Sequence, residues 1–104
     1  MANTLKRVTG QATIAGATIY TVPSGSTVTI IGFRGANTDN SANHWITFEI
    51  NGILVSGAET PLPTGSALDI MSGSKIVARN GDVIKAFSDT NNDIDVYISY
   101  LEQT

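Results

Sequence analysis

His44 is the only imidazole in this chain of 104 residues, and there is no cysteine. A serine hydrolase needs a histidine beside an activated serine, and the Gly-x-Ser-x-Gly elbow that presents one in the α/β-hydrolases is missing. His44, next to Trp45 at the start of an apolar run, reads as a strand-edge residue. Glycoside hydrolysis needs two carboxyl groups facing each other across a bond. Glu49, Asp69 and Asp95 are candidates by type, but nothing in their spacing brings two of them together. The segment Asp89-Thr-Asn91-Asn-Asp93-Ile-Asp95 places oxygen donors at every second residue, as a calcium loop does. Ile94 stands where that loop needs its glycine, however, and Tyr100 stands where it needs the bidentate glutamate. Asp and Asn also build turns by bonding their own backbone, which explains the segment without an ion. The residues therefore give no catalytic, cofactor or metal assignment, and the chain is not expected to be an enzyme.

Composition points the same way. Charged residues make up only 14% of the chain, with Thr, Ser, Asn and Gly in their place. Nine acids against six bases give a net charge of −3, and the bases (Lys6, Arg7, Arg34, Lys75, Arg79, Lys85) are scattered. No basic stripe forms, so nucleic acid is not an expected partner. With no cysteine there is neither a disulfide framework nor a thiolate metal site. The opening residues are too short and polar for a signal peptide, and no apolar run approaches the roughly 20 residues of a membrane helix. Synthesis in a cytoplasm and no membrane association are the expectations.

The elements are short strands throughout. In Ile94-Asp-Val96-Tyr-Ile98-Ser-Tyr100 apolar residues occupy every second position, the mark of a strand with one buried face. Strands are predicted near 4–9, 12–22, 26–34, 44–50, 53–56, 66–71, 74–79, 82–88 and 94–102, with no helix longer than a turn or two. Asn51-Gly52 and Asn80-Gly81 each separate two apolar runs and predict hairpins. Gly35–Asn43 and Gly57–Gly65 read as longer connections, the second stiffened by two prolines. Pro23-Ser-Gly-Ser26 and Pro63-Thr-Gly-Ser66 echo each other and predict equivalent turns into equivalent strands. The expected architecture is all-β: an antiparallel β-sandwich of jelly-roll type in a single domain, with residues 1–11 as N-terminal arm and first strand and 12–104 as the sandwich.

Apolar side chains are more numerous than one buried face needs. With Ile94, Val96, Ile98 and Tyr100 inward, Tyr97 and Leu101 face out. With Ile46, Phe48 and Ile50 inward, Trp45 faces out, and with Val28 and Ile30 inward, Ile31 and Phe33 face out. Outward aromatics on a chain poor in charge predict contacts between subunits. Phe33, Trp45, Tyr97 and Leu101 are the expected contact residues, with Leu5, Lys6 and Arg7 of the arm reaching an acidic surface or a neighbour's edge strand.

Taken in order, Ile19-Tyr-Thr-Val-Pro-Ser-Gly-Ser26, Val28-Thr-Ile-Ile31, the Trp/Phe strand, Pro63-Thr-Gly-Ser66, Lys75-Ile-Val77, Gly81-Asp-Val-Ile84, Val96-Tyr-Ile-Ser99 and Leu101-Glu102 resemble the capsid decoration, or cement, proteins of tailed bacteriophages. The resemblance spans residues 12–102 and carries no catalytic or ligand residue. It implies a structural virion protein on the capsid surface, a homotrimer that binds the major capsid protein and holds the shell together. Tail, neck, baseplate and receptor-binding modules use similar pieces. A carbohydrate-binding module, with Trp45 and Tyr97 stacked on sugar rings, is the alternative of another class.

Overall fold

The computed structural model describes residues 3–71 and 75–104. Ten strands follow one another: β1 (Asn3–Gln11), β2 (Ala17–Thr21), β3 (Thr27–Asn37), β4 (His44–Ile50), β5 (Ile53–Leu54), β6 (Thr60–Leu62), β7 (Ala67–Asp69), β8 (Ile76–Arg79), β9 (Val83–Ser88) and β10 (Ile94–Gln103). The first sheet runs β1-β10-β3, with β7 and β8 both paired to the far edge of β3. The second runs β2-β9-β4, with β5 and β6 both paired to β4. Every strand pairing is antiparallel. The chain is thus all-β, and its two sheets pack face to face as a β-sandwich.

Alternation builds the core. Ile94, Val96, Ile98 and Tyr100 of β10 turn inward and are buried, as are Ile46, Phe48 and Ile50 of β4 and Ile84 and Ala86 of β9. The rings of Phe33 and Phe48 meet between the sheets with centroids 4.2 Å apart and planes tilted by 53°. Gly35 makes room for Ile46 and Phe48: a Cβ there would come within 2.6 Å of Ile46 Cδ1 and 3.3 Å of the Phe48 ring.

The β3 alternation departs from expectation at one residue. Ser99 pairs with Gly32 but Tyr100 pairs with Ile30, so Ile31 is the extra residue of a β-bulge. The bulge lets Ile30 and Phe33 both face the core, leaving Ile31 in solvent. The expected outward Phe33 is therefore corrected: its side chain is fully buried inside its own subunit.

Three connections also differ. The expected strand over 12–22 breaks at Thr13–Gly16, where the chain crosses from the first sheet to the second. The proline-containing stretch 57–65 holds a short edge strand, in which Pro61 lies opposite Trp45. Asn51-Gly52 closes the predicted β4–β5 hairpin with positive φ at both residues (51° and 78°). Asn80-Gly81 makes a turn, Asp82 N–H donating to Arg79 C=O at 2.9 Å, but β8 joins the first sheet and β9 the second, so it closes no hairpin. The echoed segments are equivalent turns: Ser26 N–H donates to Pro23 C=O and Ser66 N–H to Pro63 C=O, both at 3.1 Å. The expected start of a strand at Ser74, and Met1 and Ala2 of the arm, lie outside the described residues.

Candidate functional site

Strand register gives the outer face of the first sheet row by row. Leu5 pairs with Leu101, Leu101 with Thr29 and Thr29 with Val77, which makes one uncharged row across four strands. The next row carries Arg7, Ser99 and Gly32 beside the bulged Ile31, and the one after it Thr9, Tyr97, Arg34 and Asp69. Leu5 (69%), Val77 (52%), Ile31 (45%) and Tyr97 (37%) are the large apolar residues most open to solvent on this face. Tyr97 sits between two shallow depressions. One, of about 500 Å³, is bordered by Leu5, Arg7, Ile31 and Ser99. The other, of about 480 Å³, is bordered by Thr9, Gln11, Arg34 and Asp95. The Arg34 guanidinium lies 6.0 Å from the Tyr97 ring centroid, at the outer limit of a cation–π contact that steadies the ring.

The structure thus places Leu5, Arg7, Tyr97 and Leu101 together on one face. Lys6 alternates to the other side of β1, where its Nζ bonds Glu102 Oε1 at 2.7 Å. Tyr20 OH donates to the second Glu102 oxygen at 3.3 Å, and the Tyr20 and Tyr100 rings lie 4.9 Å apart. The hydrogen bond from Lys6 holds the Glu102 carboxyl below its usual range, and the same bond raises Lys6. Burial, more than its neighbours, pushes the Tyr20 hydroxyl up.

Trp45 belongs to a different surface. It alternates outward from the core residue Ile46, on the far side of the second sheet, and is half-buried. Loops of the same chain cover part of that surface. Glu59 N–H donates to Thr47 Oγ1 at 2.8 Å, and Gly16, with φ of 92°, lies so close to the Phe87 ring that a Cβ would come within 2.2 Å of it. Trp45 and Tyr97 are therefore on opposite outer faces and cannot form one stacking platform.

At one end of the sandwich the loop before β4 and the loop before β10 converge on His44. Its Nε2 is 3.0 Å from Asp39 Oδ2 and 3.6 Å from Asp93 Oδ2, while its Nδ1 is 3.0 Å from Asp89 Oδ1. The buried Asn37 side chain shapes the first loop, donating to Ala42 C=O and Leu62 C=O and accepting from Asp39 N–H. Asp39 Oδ1 accepts from Ser41 N–H and Oγ, which leaves Oδ2 to face the imidazole. These bonds, the Ser41 N–H first and then His44, bring the Asp39 carboxyl down to about 2. Chiefly through Asp39 and against a desolvation penalty, the His44 imidazole is held above its ordinary value.

No local spacing in the sequence links His44 to these neighbours. Asp39 and Asp93 are brought to it by antiparallel pairing of β3 with β10, and that register is not written in local spacing. The dense acids of 89–95 were the one visible signal. Comparison of the chain with protein-family models, with curated proteins and with solved structures gives no match.

Proposed function

We propose that this chain is a structural virion protein of the jelly-roll type, a capsid decoration protein that assembles as a trimer and binds the major capsid protein. The observation that carries the reading is the outer face of the first sheet, where Leu5, Ile31, Val77 and Tyr97 are exposed beside the half-buried Leu101. An apolar face of this kind on a small protein marks an association surface. The resemblance of the strand and turn segments to phage cement proteins supplies the partner. Binding across neighbouring capsomers then stabilises the assembled lattice over free subunits by mass action, with no chemistry required. Arg7 and Arg34 border the two depressions beside Tyr97 and would form the polar rim of such a contact. A carbohydrate-binding module is disfavoured because Trp45 and Tyr97 do not share a face.

The test uses purified protein and capsid shells stripped of it. Rebinding is measured by co-sedimentation, and copy number by image reconstruction of the particle. Saturable binding at the shell surface is expected, with Tyr97→Ala weakening it by about 2–4 kcal/mol, roughly 30- to 1,000-fold in Kd. Shells that leave wild-type protein in the supernatant, or density for the chain only in the tail, would reject the decoration role.

A further inference from the structure

We propose that Asp39, His44 and Asp93 are the ligands of a divalent transition-metal site of the zinc class, with Asp89 as the group that orients the imidazole; this is independent of any role on a capsid. Each of the three residues offers one ligand atom, and these atoms lie within 4.8 Å of one another. Atoms bound to a common ion at about 2.0–2.2 Å stand some 3–4 Å apart, so Nε2 at 3.0 and 3.6 Å from the two oxygens has the right spread.

Hydrogen bonding accounts for the arrangement only in part: Thr90 Oγ1 donates to Asp93 Oδ2 at 2.6 Å, and Asp39 Oδ2 is one partner for His44 Nε2 at 3.0 Å. A histidine nitrogen carries at most one proton, and that proton points one way, yet two carboxylate oxygens crowd Nε2. Charge does not balance either. Asp39, Asp89 and Asp93 face a single imidazole, and among the described residues no Lys or Arg is bridged to any of the three, the other ion pair being Lys6–Glu102. A cation between Nε2 and the two oxygens resolves both conflicts. Asp89 has the position of a carboxylate that orients a metal-bound histidine, on the nitrogen opposite the metal. It is itself anchored by Trp45 N–H and Ser88 Oγ, each at 3.3 Å.

The donor set also selects the ion. One imidazole and two carboxylates suit zinc and its first-row neighbours, whereas calcium takes six to eight oxygens. Three protein ligands leave a coordination position open to water. The site would fasten the 37–43 loop, the start of β4 and the 89–93 loop together at one end of the sandwich.

The experiment titrates chelator-treated protein with zinc chloride and, separately, calcium chloride. Heat is followed by calorimetry, thermal unfolding is recorded, and the imidazole nitrogens are observed in long-range proton–nitrogen spectra. Expected are one zinc per chain, a thermal midpoint several degrees higher, and a shift of His44 Nε2 with Nδ1 little moved. Calcium at equal concentration gives no saturable heat. Asp39→Asn and Asp93→Asn, which keep side-chain shape, should weaken zinc at least tenfold while retaining the wild-type circular dichroism. Asp89→Asn should weaken it on the order of 10–100-fold. No saturable zinc binding by the wild type, or equal affinity in Asp39→Asn and Asp93→Asn, overturns the proposal. An unmoved His44 Nε2 does so as well.

Discussion

Glu102 shows how much a single position can hold in a fold with little charge. Its side chain is nearly buried, yet each oxygen has a partner: Lys6 Nζ on one, Tyr20 OH on the other. Tyr20 belongs to the second sheet and Glu102 to the first, so the carboxylate joins the two layers as well as two strands. The pH consequence follows from the direction of its shift. A carboxyl whose folded value is depressed contributes stability that is fully present above its unfolded value, near 4.5 here. That stability is lost as pH falls through the folded value. Lys6 is the mirror case: its value is raised, so its contribution is present below 10.5 and fades as pH climbs through the folded value. Glu102→Gln keeps the shape and removes the charge. The thermal midpoint of the variant should lie below wild type at neutral pH, and the gap should close as pH falls through the depressed folded value of Glu102, below which both carry a neutral side chain. A gap that stays constant to pH 2 would show that packing, not charge, is what Glu102 supplies.

At the scale of elements, what the sequence spells out locally is what it predicts well. Alternation in 94–100 and the Asn51-Gly52 pair lead directly to β10 and the β4–β5 hairpin, because both signals depend on neighbouring residues alone. The same holds for the echoed Pro-x-Gly-Ser turns. Which sheet a strand enters is set by long-range burial, and this is why Asn80-Gly81 looks like a hairpin but links the two sheets. The His44 cluster is illegible for the same reason, since it forms only when loops 5 and 49 residues away along the chain meet at one end. The β3 bulge is illegible for a different reason. Thr27-Val-Thr-Ile-Ile-Gly-Phe carries apolar residues in both phases, and only the partner strand decides which phase applies. Ile31 absorbs the extra residue, so Phe33 returns to the core against Phe48. Phe33→Ala should therefore destabilise the isolated subunit by roughly 3–5 kcal/mol, seen as a lower denaturant midpoint with an unchanged slope. A variant as stable as wild type but weak in association would return Phe33 to the interface.

The whole molecule, 47 × 24 × 20 Å, presents two unlike outer faces. The first sheet shows Leu5, Leu101, Ile31 and Tyr97, and the second shows Trp45 among its own covering loops. One flat contact cannot include both Trp45 and Tyr97. A two-fold contact joins a patch to its own copy, whereas a closed ring joins two different patches of each subunit, so the proposed trimer is one assembly that can use both faces. The proposed trimer therefore makes a prediction that no single variant can test. Tyr97→Asp and Trp45→Asp should each abolish trimers, in solution or, where the free protein is monomeric, on the shell. Mixed in equal amounts, the two variants should recover pairs, because one retains an intact second-sheet face and the other an intact first-sheet face. Closed trimers should not return, since a ring of these variants always contains a damaged junction. Mass photometry, or cross-linking on shells, reads all three states. If Trp45→Asp assembles as wild type while Tyr97→Asp does not, the first sheet alone makes the contact and Trp45 leaves the interface. If Trp45→Asp unfolds the subunit, the indole is part of the fold rather than of the assembly. If neither variant alters assembly, the apolar faces are not where subunits meet, and the trimer reading fails.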